Sequence, residues 1–151
     1  NKIAYINIDL ILTESIPSKS LLSQLKLIEQ NQIKKIKSDE LKLKTQEKKI
    51  LATKNIISIE EFNKSVDIFQ KKVDLHQKSK EKNIQILKQK RSKEILRFLN
   101  LINPIIETIM EKNSIGILIE KKNIFIAKSN YDITGIVIEE INKNIKEFLI
   151  E

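Results

Sequence analysis

The side chains best suited to chemistry in this chain are lysines and phenylalanines near its middle, and the chemistry they offer is non-covalent binding. A lysine ammonium group attracts carboxylates, while the lysine stem and the phenylalanine ring offer apolar contact. Such a mixture suits a partner that is acidic and partly apolar, held by scattered contacts rather than in a fitted pocket. The candidate binding residues are Lys54, Phe62, Lys64, Phe69, Lys71 and Lys72.

Residues that usually carry covalent or metal-dependent chemistry are scarce. The chain has no cysteine, one histidine and two glycines, so the sequence offers no thiol nucleophile, no histidine pair for a metal and no glycine-rich phosphate loop. We interpret His76 as a partly packed, hydrogen-bonded side chain, because a metal site or a pH switch would need companion residues. Asp132 is interpreted as a helix cap rather than an acid catalyst. We therefore expect neither an enzyme nor a cofactor or metal.

Positive charge is concentrated in the middle of the chain. The net charge is +8, and residues 17–112 carry 22 basic and 12 acidic side chains. An acidic chain or a polyanion would therefore meet this region first. The lysines also have a plainer interpretation as a solvated surface, because isoleucine, lysine and asparagine are all abundant, as AT-rich codons alone would produce.

Residues 17–112 are predicted to form a long helical hairpin, which we call the arm. The stretch contains no glycine, and its apolar residues recur at three- and four-residue steps. Pro17 suits the start of the first helix, where its missing N–H would have no partner. Pro104 predicts a kink or a break in the second helix. The first helix alone would be ~57 Å long at 1.5 Å per residue, so we expect the arm to project from the rest of the chain.

The tip of the arm is predicted at residues 54–59. Asn55 is suited to the left-handed backbone geometry that ends many helices. Ser58 followed by Glu61 is a capping box, which satisfies free amides at the start of the second helix. These signals make the reversal the sharpest boundary in the sequence.

The seam between the two helices is predicted to be only partly apolar. Gln32, Asp39 and Gln46 alternate with leucines and isoleucines on the first helix. A seam of this kind gives about half the hydrophobic stabilisation of a filled one, at ~0.8 kcal/mol per buried methylene. Phe62 and Phe69 lie on the seam, so packing between the helices is the simpler interpretation of both, with partner contact as the alternative. We expect a marginally stable, flexible arm.

A small body of residues 1–16 and 113–151 is predicted to contain three strands and one helix. A unit of this size is near the lower limit for independent folding, and its sheet would have two open edges. The expected fold class is α+β, with several copies joined through their strands. The predicted elements are strands at Lys2–Ile8, Ile115–Ile119 and Ile124–Ala127, the last two forming a hairpin, and a helix capped by Asp132. The predicted oligomerisation residues are Ile3, Tyr5, Ile6, Ile8, Ile117, Ile119, Ile124 and Ile126.

With these elements in place, the chain resembles the Skp (OmpH-like) family of periplasmic outer-membrane-protein chaperones. The resemblance rests on Lys2–Asn7, the charged hairpin, the predicted strands between Ile115 and Lys128, and Tyr131–Thr134 before the last helix. It covers the whole chain, and the order of elements is uncommon although no single motif is specific. The isoleucine- and lysine-rich arm and the tip without glycine depart from the family pattern.

The resemblance implies a homotrimer in which strands from three subunits close a small β-barrel and three arms hang from it. It also implies a periplasmic, ATP-independent holdase that captures unfolded outer-membrane β-barrel proteins between its arms and prevents their aggregation. Contact with anionic lipid or a membrane surface would be compatible with the basic arm. The sequence shows no signal-peptide pattern, and no apolar run approaches the ~20 residues of a membrane span.

Two other classes of protein fit parts of the sequence. A basic helical arm suits contact with nucleic-acid phosphates, although the arm contains only Arg91 and Arg97 as arginines and mixes charges of both signs along its length. A structural coiled-coil spacer would explain the hairpin, and it predicts a dimer without a client. The mass of the assembly and a comparison of protein with DNA binding would separate these classes.

Overall fold

The computed structural model describes residues 2–151 and is mostly helical, with a single two-stranded sheet. Two long helices follow one another, as the predicted hairpin requires. The mixture of helices and strands agrees with the expected α+β class, but there are fewer strands than predicted. The elements are β1 (Lys2–Ile6), α1 (Ile8–Glu14), α2 (Ile16–Ala52), α3 (Ile59–Lys112), β2 (Ile115–Glu120) and α4 (Thr134–Asn144).

The chain divides into two compact units, and each contains part of both long helices. The sheet unit comprises the residues up to Lys26 together with Arg91–Glu151, and the helical unit comprises Leu27–Lys90. This division differs from the predicted body and arm, because apolar residues of α2 and α3 near the strands are buried in the core of the sheet unit. These residues are Leu21, Leu25, Phe98 and Ile102, none more than 3% exposed.

The hairpin reverses where the sequence predicts it, between α2 and α3. The Ser58 hydroxyl accepts a hydrogen bond from the backbone N–H of Glu61 at 3.2 Å, and α3 begins at the residue after Ser58. A capping hydroxyl satisfies one of the amides that have no partner in the first turn of a helix. The predicted role of Ser58 is therefore confirmed.

Asn55 does not adopt the left-handed geometry predicted for it. Among the described residues, Ser114 is the only non-glycine residue with a positive φ. The tip closes through right-handed geometry, because the N–H groups of Ile56 and Ile57 both donate to the Thr53 carbonyl, at 2.9 and 3.1 Å.

Pro104 lies inside α3, and the helix continues through it to Lys112, so a break at this position is not found. Proline removes one backbone hydrogen bond and crowds the preceding turn. The surrounding turns offset that cost, because Ile102, Ile106 and Ile109 are buried in the core of the sheet unit. Pro104 itself is exposed.

β1 and β2 pair in parallel within the sheet unit. The predicted hairpin is wrong, because residues 121–123 form a single 3-10 turn and residues 124–127 lie outside regular secondary structure. Strand propensity describes side chains that suit a pleated surface, but a strand also needs a backbone partner. Of the described residues, none forms a sheet ladder with residues 124–127.

Ser114 makes the bend between α3 and β2, with φ of 54°. Its carbonyl accepts the N–H of Lys2 at 3.0 Å, so the bend places the chain at the start of the strand pairing. An L-residue in this left-handed region is strained, because its Cβ approaches the following carbonyl oxygen.

Replacing Ser114 with glycine is expected to raise the free energy of unfolding of the sheet unit by about 0.5–1 kcal/mol, because glycine adopts positive φ without strain. The relief should exceed the entropy that glycine adds to the unfolded chain. Urea unfolding followed by circular dichroism measures the change. The matched control is Ser92→Gly in α3, which should destabilise the protein by a similar amount; equal losses at the two positions would contradict the assignment of strain to Ser114.

Two polar side chains accept backbone N–H groups at the N-termini of the short helices α1 and α4. Asn7 caps α1 by accepting the N–H of Leu10 at 3.1 Å, and Asp9 lies in the first turn of that helix. The backbone N–H of Asn7 donates to the Thr134 hydroxyl at 2.8 Å. Asp132 accepts the N–H of Thr134 at 2.9 Å and so satisfies the first amide of α4, but the N-cap position is Ile133, one residue later than the predicted cap.

The segment after α4 closes the core of the sheet unit. The last helix ends at Asn144, and Phe148, beyond its end, packs edge-to-face against Phe98 with ring centroids 5.6 Å apart. The Arg97 guanidinium lies 4.2 Å from the centroid of the Phe148 ring and pairs with the buried Glu94 carboxylate at 2.9 Å. The packing of the two rings and the contact of the Arg97 guanidinium with the Phe148 ring thus hold the same segment.

Candidate partner-binding surfaces

The helical unit exposes its apolar residues rather than burying them. Within residues 27–90, all of which the structure describes, no residue is buried, and the seam side chains are at most half-buried. Hydrophobic stabilisation scales with the apolar area removed from water. Burial therefore contributes little to the folding free energy of this unit, and its apolar surface remains available to a partner. The exposed large apolar side chains are Leu27, Ile33, Leu41, Leu51, Ile56, Ile59, Val66, Ile68, Leu75, Ile84 and Ile86.

All six residues predicted to bind a partner lie in the helical unit. Lys54 is in the turn, and the other five are on α3. The four lysines are exposed, whereas Phe62 and Phe69 are half-buried on the seam. Each ring therefore packs between the helices and still presents part of its surface to solvent.

Phe69 and Lys72 also line a groove of about 310 Å³ between α2 and α3. The groove forms because Gln46 on α2 and Ser65 on α3, which line it too, provide no bulky apolar side chain at this layer of the seam. The seam pattern predicts inward-facing positions, so it did not single out Ile68, which lies beside the seam and is 52% exposed. The other four predicted residues do not line this groove.

Further along the seam, Glu40 on α2 contacts two basic residues of α3. Lys80 Nζ donates a hydrogen bond to Glu40 Oε1 at 3.2 Å, and His76 Nε2 lies 3.5 Å from the same oxygen. His76 is partly packed, as predicted, and its buried Nε2 contacts the Glu40 carboxylate without forming a hydrogen bond of ordinary geometry. The Lys80 ammonium group, with a smaller contribution from His76, holds the pKa of Glu40 below its ordinary value.

Because the folded-state pKa of Glu40 is lowered, its contribution to stability is present above the ordinary carboxyl pKa of about 4.3 and is lost as the pH falls through the folded value. NMR titration of the Glu40 side chain should report a pKa below that of a model peptide. In Lys80→Met this pKa should rise, whereas in Lys78→Met, which removes an exposed lysine on the same helix, it should stay unchanged. An equal rise in both variants would show a general field effect instead of the Lys80 contact.

The eight residues predicted to join copies of the chain fall into two groups. Ile3, Ile117 and Ile126 are 52%, 54% and 84% exposed, so their apolar surface is available to a partner. The others are buried or half-buried within the sheet unit: Tyr5, Ile6, Ile8, Ile119 and Ile124.

The most exposed apolar residue of the sheet unit is one that the sequence pattern did not single out. Phe125 is fully exposed, at 102% of its reference area. It was missed because the predicted strand placed Ile124 and Ile126 on the apolar face and Phe125 on the opposite one. Tyr131 and Ile136, 46% and 52% exposed, were likewise not predicted to contact a partner.

Neither a metal-binding cluster nor a helix able to span a membrane is found within residues 2–151. Over residues 2–151, the acidic residues and His76 nowhere come together in a group of three able to bind a metal ion. None of the helices described combines the length and the apolar character that crossing a bilayer requires.

The fold and its exposed surfaces define a class of α+β protein in which a long helical hairpin is inserted between two parallel, paired strands. The chain belongs to the OmpH-like family of outer membrane proteins, whose family model matches residues 2–141. The family suggested by the sequence is thereby confirmed. A similar fold occurs in the crystal structure of a proposed outer membrane chaperone (OmpH-like) from Caulobacter crescentus CB15, with a TM-score of 0.89 and 17% sequence identity over 99% of this chain and 88% of that chain. No curated protein matches the sequence.

Proposed function

We propose that this protein is an ATP-independent holdase chaperone that captures unfolded outer-membrane β-barrel proteins in the periplasm and prevents their aggregation. The observation that carries the proposal is the helical unit, which combines exposed apolar side chains with an excess of lysines and buries no residue. A surface of this kind suits an unfolded chain that alternates apolar and polar residues. Membership of the OmpH-like family supports the same assignment.

The proposed mechanism needs no nucleotide. Each lysine stem or half-buried phenylalanine offers a weak contact, and many such contacts together hold the client. They can break one at a time, so the client leaves when it folds elsewhere. The helical unit is proposed to capture the client, and the sheet unit to join the copies.

We further propose a homotrimer whose strands close a small barrel, with the client held in the cavity between the arms. The support comes from the sheet, which has only two strands and so leaves open edges, and from the exposed side chains of Ile3, Ile117, Phe125 and Ile126. Unpaired strand edges and exposed apolar residues are both stabilised by a neighbouring chain. Among residues 2–151, which the structure describes, residues 124–127 have no strand partner, and a neighbouring copy is the proposed source of one.

Native mass measurement of the assembly, with and without an unfolded outer-membrane protein diluted from urea, tests both proposals. The expected results are a trimer alone, a trimer with bound client, and suppressed aggregation of the client. A chain that remains monomeric and leaves aggregation unchanged would contradict the holdase proposal. A dimer without client binding would favour a structural coiled coil.

Nucleic-acid binding is the second candidate, because of the net charge of +8. It is tested in the same experiment by adding duplex DNA at matched salt concentration, since phosphate contacts weaken steeply with salt. Tighter binding to DNA than to the unfolded client would support this candidate. Vesicles with and without anionic lipid would test the proposed membrane contact.

A further inference from the structure

The groove near the tip of the hairpin differs from the rest of the helical unit, because it gathers apolar and basic side chains around one concave space. We propose that it is a subsite for a single large apolar side chain of an extended polypeptide, flanked by carboxylates within two residues on either side. This inference deepens the proposed function and rests on it. In addition to scattered contacts, the groove would then select one local sequence pattern in the client.

The apolar part of the subsite comes from three side chains. Ile50 and Phe69 are half-buried and Ile68 is 52% exposed, and all three line the same groove. Its volume of about 310 Å³ lies at the lower end of the range for small-molecule pockets, about 300–1,000 Å³. A leucine or phenylalanine side chain placed here would remove its own apolar area and part of this surface from water.

The positive charge of the groove indicates that its occupant has acidic residues beside the bound side chain. Lys49 on α2 and Lys72 on α3 line it from the two helices, and no carboxylate is among its lining residues. Both lysines are exposed, and neither forms an ion pair with any described residue. Their stems can lie against an apolar guest while the ammonium groups meet its acidic neighbours. In an extended chain, residues two apart point to the same side, which sets the expected spacing of the carboxylates.

The polar residues of the groove favour a bound side chain that dissociates rapidly. Gln46 and Ser65 add polar side chains to its lining, and the groove is open to solvent. A guest side chain would therefore be only partly desolvated, and its residence would be short. Such a contact adds selectivity to capture without trapping the client.

The test uses the full-length protein and labelled eleven-residue peptides measured by fluorescence anisotropy at low salt. The probe carries a central leucine with glutamates two positions away on each side, and the controls replace the leucine with alanine or the glutamates with lysine. We expect the probe to bind about five-fold more tightly than either control. Methyl signals of Ile50 and Ile68 and the ring signals of Phe69 should shift in NMR spectra on binding.

Two variants of the groove and their matched controls make the assignment specific. Lys49→Gln combined with Lys72→Gln should weaken probe binding about five-fold, while Lys42→Gln combined with Lys78→Gln, an equal loss of charge on the same helices, should have less than half that effect. Ser65→Leu should fill the groove and abolish the signal shifts, with Ser79→Leu as its control. Circular dichroism verifies that each variant is helical, and Ile68→Ser replaces Ser65→Leu if the latter is not.

The outcomes separate this inference from the holdase proposal. Ser65→Leu should lose the peptide probe but keep most of its capture of a whole unfolded client, which uses many other contacts. If the probe binds the groove variants and their controls equally, the inference is overturned even where client capture is intact. Displacement of the probe by dodecanoate, together with tighter binding of dodecanoate itself, would assign the groove to an anionic amphiphile and overturn the peptide assignment.

Discussion

Replacing Phe98 with alanine is expected to lower the free energy of unfolding of the sheet unit by about 3–5 kcal/mol. Phe98 is fully buried, at 0% exposure, and its ring is the surface on which Phe148 packs. The substitution removes both the transfer free energy of the ring and the edge-to-face contact, and it leaves a cavity. Urea unfolding monitored by circular dichroism and by the exchange of strand amides measures the loss.

The matched control for Phe98 is Leu101→Ala on the same helix. Leu101 is 47% exposed, so its truncation should cost a small fraction of the Phe98 effect. Equal effects of the two substitutions would contradict the assignment of Phe98 to the core. Amide exchange should also show that the helical unit is less affected than the strands, because stability in proteins varies between contiguous units.

The second large effect is expected on client capture. Changing Lys54, Lys64, Lys71 and Lys72 to glutamate should weaken binding of an unfolded outer-membrane protein about ten-fold or more at low salt, because four exposed attractive charges become repulsive. The assembly should remain intact, since all four residues lie in the helical unit. Titration of a labelled client measures the affinity, and native mass measurement verifies the oligomer.

The control for this charge reversal is the same change at four exposed lysines of the sheet unit, Lys93, Lys112, Lys121 and Lys128. We expect a clearly smaller loss of affinity from the control. The difference should shrink at high salt, because screening weakens interactions between exposed charges. Unchanged affinity in the helical-unit variant at low salt would contradict the role of these lysines.

The sequence predicted the elements that depend on local signals. The hairpin could be located because a stretch without glycine, the helical spacing of apolar residues and the cap at Ser58 all act within a few residues of one another. The pairing of the strands required more, because strand propensity alone does not supply a partner. Residues 124–127 have suitable side chains, yet β1 occupies one edge of β2 and the structure places these residues outside the sheet.

The choice between competing side chains was also beyond the sequence. Asn7 and Asp9 are both good helix caps, and the hydrogen bond from Leu10 to Asn7 decides between them only once β1 has fixed the direction of the chain. The cluster of Glu94, Arg97 and Phe148 joins α3 to a segment more than fifty residues later, as the contact from Arg97 to the Leu149 carbonyl illustrates. No local sequence pattern indicates such a long-range contact. The groove has the same origin, because it depends on which residues of two helices lie opposite each other.

The parallel pairing of β1 with β2 determines the order in which this protein can fold during synthesis. Asn7 bonds to Thr134 across 127 residues of sequence, so β1 leaves the ribosome long before its partners exist. Contacts between residues so far apart form slowly, because closing the intervening loop costs entropy, whereas helices form from neighbouring residues. The two long helices should therefore form first and shorten the distance that β1 must search. The sheet that pairs β1 with β2 should then form after the helices, which delays any assembly through the strands until β2 has been made.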